Sequence, residues 1–222
     1  MKNTPKAIVE ITVDVVIFTI EDGELKVLLG KRIIEPYLGK WSLPGGFMWK
    51  GETSIEAARR ILATKTNVAD VYLEQLYTFD EPTRDPRGQI VTISYFALVP
   101  SNMIGLKQTE EYKSELFSVT KIPALAFDHE KIVKYAVKRL RSKLEYTNAA
   151  YSLLPNKFSL TELQKIYEII LGTLQDKRNF RRKYINLGLL EKTDAMSGGK
   201  HRPAVMYRFK KRQPIELQEK AF

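Results

Sequence analysis

The sequence predicts an α/β protein in two parts: an α/β sandwich over residues 1–147, and a small helix–turn–helix with a β-hairpin behind it over residues 148–222. Three observations carry this. Strand-like and helix-like runs mix without a regular βαβ repeat, which suits a sandwich of sheet and helices. The last third closes with a helix, a turn, a second helix and a hairpin. Charge also divides unevenly. Residues 149–222 hold 15 Lys/Arg and 7 Asp/Glu, against 21 and 19 in residues 1–148, so most of the net +10 sits in the last third. A nearly neutral part joined to a basic one suggests two tasks on one chain, and basic domains of this size commonly meet nucleic acid.

Composition excludes several classes. The 222 residues contain no cysteine, so disulfides, thiol nucleophiles and thiolate metal sites are out. His129 and His201 are the two histidines, too few for a histidine-held metal. No cofactor is called for. Glu10 and Asp14 interrupt the apolar start, which makes a poor signal peptide. No apolar run is long enough to span a bilayer. These features point to a cytoplasmic protein with no membrane partner.

In chain order, Ile8–Ile20 is a β-branched, extended run and Leu25–Leu29 a second strand-like one, joined across Asp22–Gly23, a hairpin signal. Thr53 and Glu56 form a capping box that opens a helix to about Thr66. Asn67 stands at its end, where Asn tolerates a left-handed cap. Val71–Phe79 and Gln89–Val99 read as strands around a charged, proline-bearing loop. Residues 107–120 are polar and without clear pattern. A helix follows from about Asp128 to Glu145, and Thr147–Pro155 reads as a linker. Ser159 and Glu162 make a second capping box, for a helix ending at Gly172. Asp176 caps another from Lys177 to about Leu187. Leu189–Thr193 and Val205–Phe209 complete the hairpin. This is the order of a winged helix-turn-helix domain.

The last helix carries the nucleic-acid reading. Phe180, Tyr184 and Leu187 recur at i, i+4, i+7 and form its packing face. Arg178, Asn179, Arg182 and Asn186 stand opposite, with Arg181 and Lys183 flanking and Lys177 at the start. Arginine reads guanine edges and asparagine adenine edges in a major groove. The hairpin tip adds Lys200, His201 and Arg202, placed to meet phosphate. The bland alternative is a solvated basic helix. An RNA-binding role is weaker, because the basic part lacks an aromatic stacking surface.

Between Gly46 and Val68 stands a known pattern in altered form: Gly46, five residues, Glu52, seven residues, Arg60, then Ile61, Leu62, Ala63, Thr64, Lys65, Thr66, Asn67 and Val68. It resembles the Nudix box, which the phrase KR…EP…GKWSLPGGF reinforces. The Nudix box has glutamates where Ile61, Thr64 and Lys65 stand. Glutamates so spaced share a helix face and hold Mg2+ at a diphosphate. This chain replaces them with an apolar residue, a hydroxyl and a cation. The expectation is no catalytic residue, no metal and no hydrolysis.

Both halves together resemble the NrtR family of Nudix-related transcriptional regulators. YLEQLYTFDEPTRDPRG and LLPNKFSLTELQKIYEIILG…DKRNFRRKYINLGLLEKT…RPAVMYRF carry that resemblance. It implies a homodimer whose Nudix-like domains sense a metabolite and whose winged helices grip a palindromic operator on double-stranded DNA. It implies a regulator, expected to be a repressor, of NAD metabolism responsive to ADP-ribose or a related nucleotide. The alternatives are a pentose sensor answering to L-arabinose, or a Nudix hydrolase of nucleoside diphosphate derivatives. Candidate effector residues are Arg32, Glu52, Arg60, Lys65, Arg84 and Asp85, whose cations suit an anion better than a sugar. Glu52 and Arg60 could equally form a helix-start ion pair, and Arg84 and Asp85 could serve turn chemistry. Trp41 is expected in the fold rather than against a ligand.

Overall fold

The structure is a computed structural model and describes residues 7–65, 71–106, 113–196 and 203–217. The first part runs β1 (Glu10–Glu21), β2 (Glu24–Lys31), β3 (Trp41–Ser42), β4 (Gly45–Phe47), α1 (Ser54–Lys65), β5 (Tyr72–Phe79), β6 (Ile90–Leu98), β7 (Ser114–Ser118) and α2 (His129–Tyr146). The second part adds β8 (Phe158–Ser159), α3 (Leu160–Leu171), α4 (Lys177–Asn186), β9 (Leu190–Met196) and β10 (Val205–Phe209).

β1 is the axis of the first sheet. It pairs antiparallel with β2 and β4 and parallel with β6. Asp22 and Gly23 turn the β1–β2 hairpin with φ of 52° and 76°, the positive values that a tight two-residue turn requires. Strand side chains alternate between faces, and here both faces are covered. Val13, Val15 and Ile17 pack under α1 with Ala57, Ala58, Ile61 and Leu62. Val16 and Phe18 face α2 with Ile132, Val133 and Ala136. That double burial explains the near-continuous apolar run. The Thr53–Glu56 capping box is present in both directions. Trp41 packs edge-on against Phe117, with centroids 4.8 Å apart.

Two elements differ from the sequence reading. The patternless stretch 107–120 contains β7, which pairs with β2. Its five residues are mostly half-buried, so their alternation is faint. The larger difference is the expected linker. Thr147–Leu154 is buried and includes a 3-10 turn over Ala149–Leu153. Ala149, Ala150, Tyr151, Leu153 and Leu154 belong to the same apolar core as α2, α3 and the first sheet. The buried polar groups there are satisfied, as buried groups must be. Ser152 Oγ donates to Leu98 O at 2.7 Å, and Thr147 Oγ1 to Lys143 O at 2.8 Å.

The second sheet has the order β8–β10–β9. β8 is two residues long and pairs with β10, too short to leave a sequence signal. Ser159 and Glu162 complete the α3 capping box, and Gly172 ends α3 at φ 74°. Asp176 caps α4 through Asn179 N at 2.9 Å. Tyr167 of α3 meets the rings of Phe180 and Tyr184, which fixes the angle between α3 and α4. Among the described residues no helix is long and apolar enough to cross a membrane.

Candidate functional site

A cavity of about 280 Å³ opens where β1 begins and α2 starts. Asp14 lies on the α2 side of β1, just before Val16 and Phe18, and is buried. Thr92 Oγ1 donates to its Oδ2 at 2.8 Å, and Arg84 Nη2 and His129 Nε2 each lie 3.7 Å from the carboxylate. Gly45 must be glycine here: a Cβ would fall 2.0 Å from Asp14 Oδ1 and 3.0 Å from Val13 O. Arg84 forks onto Asp128, the residue before α2, at 3.0 and 2.7 Å. Asp85 accepts both Nε and Nη2 of Arg87, at 2.9 and 2.7 Å, and the Arg87 backbone N–H at 3.0 Å. Burial opposes ionisation of Asp85, but these bonds hold its carboxyl below the usual range.

His129 accepts the Leu43 N–H at Nδ1, 2.9 Å away, so its remaining ring proton sits on Nε2 toward Asp14. Burial lowers the imidazole pKa below its ordinary value; Asp14 and Asp128 offset part of this, and Arg84 and Arg32 add to it. Phe127 adopts φ 53°, an outlier for an aromatic residue of the kind that clusters at ligand sites. Arg32 lies 4.8 Å and Arg87 5.3 Å from the centre of its ring. Burial and the neighbouring Arg87 lower the Arg32 pKa. The pocket thus offers guanidinium faces and an aromatic ring, features suited to a planar base and an anionic group.

The structure brings Arg32, Arg84 and Asp85 together on this lining. It does not bring Glu52 and Arg60 there. Those two pair with each other, Arg60 Nε to Glu52 Oε2 at 3.0 Å, and Arg60 stacks on exposed Trp49 at 3.8 Å. The reason is strand alternation: α1 covers one face of β1 and the pocket opens on the other. The Lys65 side chain lies outside the described residues. Ile61, at the first altered glutamate position, is 4 % exposed and packs from α1 onto Val13, Val15 and Ile17 of β1. Thr64 turns its hydroxyl back to Ile61 O at 2.7 Å. Sequence reasoning missed Asp14, Arg87, Phe127 and His129. The available signals were an acid inside an apolar strand and one of two histidines beside an Asp.

On α4, Phe180 and Tyr184 are buried, while Lys177, Arg178, Asn179, Arg182 and Asn186 are exposed. Lys183 is half-buried. Arg181, at the flank, is half-buried and donates to Thr161 Oγ1 at 3.1 Å, tying α4 to α3. Arg182 touches Asn179 Oδ1 at 3.0 Å. Lys200, His201 and Arg202 lie outside the described residues.

A family model described as the NUDIX domain matches residues 10–137, and one described as the NrtR DNA-binding winged helix domain matches residues 150–209. The chain is 41 % identical over 204 residues to the ADPR responsive transcriptional repressor NtrR of Acinetobacter baylyi, covering 89 % of this chain and 81 % of that protein. The chain belongs to the NrtR family. Shewanella oneidensis NrtR complexed with a 27mer DNA superposes with a TM-score of 0.83 at 33 % identity, over 95 % of this chain and 98 % of that one. The NUDIX domain of that NrtR complexed with ADP ribose matches at 39 % identity and a TM-score of 0.52, over 59 % of this chain and 88 % of that one. The first part is also 39 % identical over 112 residues to an ADP-ribose pyrophosphatase of Methanocaldococcus jannaschii, covering 49 % of this chain and 64 % of that protein. NrtR membership therefore joins a Nudix domain to a DNA-binding winged helix, the fold class that the sequence predicts.

Proposed function

We propose that this chain is a transcriptional repressor that binds operator DNA through α4 and the β9–β10 hairpin and is regulated by ADP-ribose held in the pocket between β1 and α2. The observation that carries the reading is the pairing of two surfaces on one chain: an outward row of Arg and Asn on α4, and a pocket edged by Arg32, Arg87 and Phe127. Both kinds of relative, regulator and pyrophosphatase, are named for ADP-ribose, which supports a shared ligand. We assign sensing to residues 1–147 and DNA reading to 148–222, a division of labour across one continuous core. The protein acts in the cytoplasm as a homodimer on two-fold related half-sites.

Hydrolysis is not part of this function. A buried Ile61 supports that, because a carboxylate there would stand in an apolar layer, as does the hydroxyl of Thr64 in place of a charge. Arg32, with Arg87, holds the effector's diphosphate. Arg84 and Asp85 shape the pocket, and Glu52 and Arg60 brace the loop beside it. Lys65 adds positive charge near the end of α1, and Lys200, His201 and Arg202 meet phosphates.

The test is a duplex selected by the protein from a random pool, titrated with ADP-ribose, with L-arabinose and with NAD. Release by ADP-ribose without Mg2+ is expected, together with an equilibrium dimer in sedimentation. Release by L-arabinose alone, or ADP-ribose turnover near ~1 per second, an ordinary enzyme rate, overturns the reading.

A further inference from the structure

The winged-helix match ends at residue 209, yet the chain beyond it is built into the molecule. Arg212 Nη2 donates to Tyr151 O and Leu154 O at 2.9 and 2.8 Å. Asn148 then grips the next residues as a strand would, with Nδ2 donating to Gln213 O at 3.1 Å and Oδ1 accepting Ile215 N–H at 2.7 Å. Thr147 and Glu216 form an antiparallel bridge, and Leu217 N donates to Tyr146 O at 2.7 Å. These bonds fix where Ile215–Leu217 stands, which is across an open groove from α4. One wall of the groove carries Asn179, Arg182, Lys183 and Asn186; the other carries Ile215, Glu216 and Leu217. The helix residues recur at i, i+3, i+4 and i+7, so they form a single stripe.

We propose that this groove receives one sugar–phosphate strand of the operator, and that Glu216 opposes its entry. This rests on the reading of α4 as the DNA-reading helix. The helix wall supplies cations for phosphate and amides for base edges, the chemistry of a nucleic-acid strand. The tail wall supplies one carboxylate, exposed and in no ion pair with the described residues. Its charge faces the same space as Arg182 and Lys183 and repels the phosphates they attract. The consequence is a restrained affinity. Effectors shift binding by roughly 5–150-fold, and a repressor held too tightly to its operator is not released by such a shift.

The experiment uses the full chain and measures operator affinity across a salt series for wild type, Glu216→Lys, Glu216→Gln and Glu130→Lys. Glu130 is an exposed acid at the start of α2 and controls for net charge. Glu216→Lys is expected to raise affinity about five- to tenfold at low salt, the size of a two-charge change at ~7 Å in water. It should also steepen the salt slope by about 1, as one added phosphate contact does. Glu216→Gln should fall between it and wild type, and Glu130→Lys should match wild type. The Glu216 variants should melt with wild type, since among the described residues Glu216 is engaged only through its backbone. Equal behaviour of Glu216→Lys and Glu130→Lys overturns the groove assignment. A wild-type chain that binds no duplex overturns the DNA-reading assignment on which it rests.

Discussion

Arg84, in the loop between β5 and β6, and the outward arginines of the helix from Lys177 to Asn186 do opposite work. Arg84 is 7 % exposed and forks onto Asp128 with Asp14 behind it, whereas Arg87, three residues on, forks onto Asp85 but stays exposed at the pocket edge. Arg178 and Arg182 stand in solvent on α4. A buried guanidinium is committed by the carboxylates that made its burial possible. An exposed one keeps its donors for a partner. Arg181, half-buried against Thr161, sits between these limits and shows that neighbours on one helix can fall on either side. Lys177 and Arg178 also occupy the first turn of α4, where the helix dipole disfavours cations. An anionic partner offsets that cost.

The sharpest way to break the contrast is Arg84→Ala. It strands Asp128 and Asp14, and should cost about 3–5 kcal/mol of stability in denaturant unfolding. A loss as small as that of an exposed arginine would mean that Arg84 is not committed. Gly45→Ala forces Asp14 or its strand to move and should cost roughly 1–3 kcal/mol, the range for overpacking, read by the same melts. Arg178→Ala or Arg182→Ala should leave the melting transition in place and weaken operator binding by about 1–3 kcal/mol, with relaxed sequence choice. Lys177→Ala should weaken every duplex alike and reduce the salt slope by about 1.

The smallest effect belongs to His129. Its folded pKa lies below the ordinary 6.5, so below pH 6.5 the unfolded chain binds the proton more readily than the folded one. Stability is therefore complete above that value and declines as pH falls from 6.5 toward the depressed folded pKa. His129→Gln, which keeps an acceptor for Leu43 N–H, should flatten this part of the pH profile in unfolding experiments. A profile unchanged by the substitution would assign the slope to another group.

Local signals made much of this architecture legible. Alternation and Asp22–Gly23 placed the first hairpin, and three caps placed the starts of α1, α3 and α4. Failures came where meaning depends on distant partners. β7 is a strand because β2 lies beside it, and Thr147–Leu154 is core because α2, α3 and β6 surround it. The pocket divides in the same way. Arg32, Arg84 and Asp85 were visible as charges in a recognisable phrase. Asp14 gains its role from Thr92, Arg84 and His129, which strand order and α2 bring to it. Glu52 and Arg60 looked like pocket residues only because sequence spacing does not say which side of β1 a helix will cover.

The buried connector bears on how such a regulator can be recombined. α2 gives Ile132 and Val133 to the first sheet, shares a core through Leu140 and Leu144 with α3, and donates from Arg141 to Ile170 O at the far end of α3, 2.9 Å away. A cut at residue 147 would therefore run through packed side chains rather than slack chain. A transplanted winged helix needs α2 with it, and α2 brings His129, part of the lining of the pocket beside β1. Grafting this DNA-reading unit onto another sensor would carry part of the old sensor along, so new regulators of this build arise more readily by altering the pocket or α4 in place than by exchanging halves.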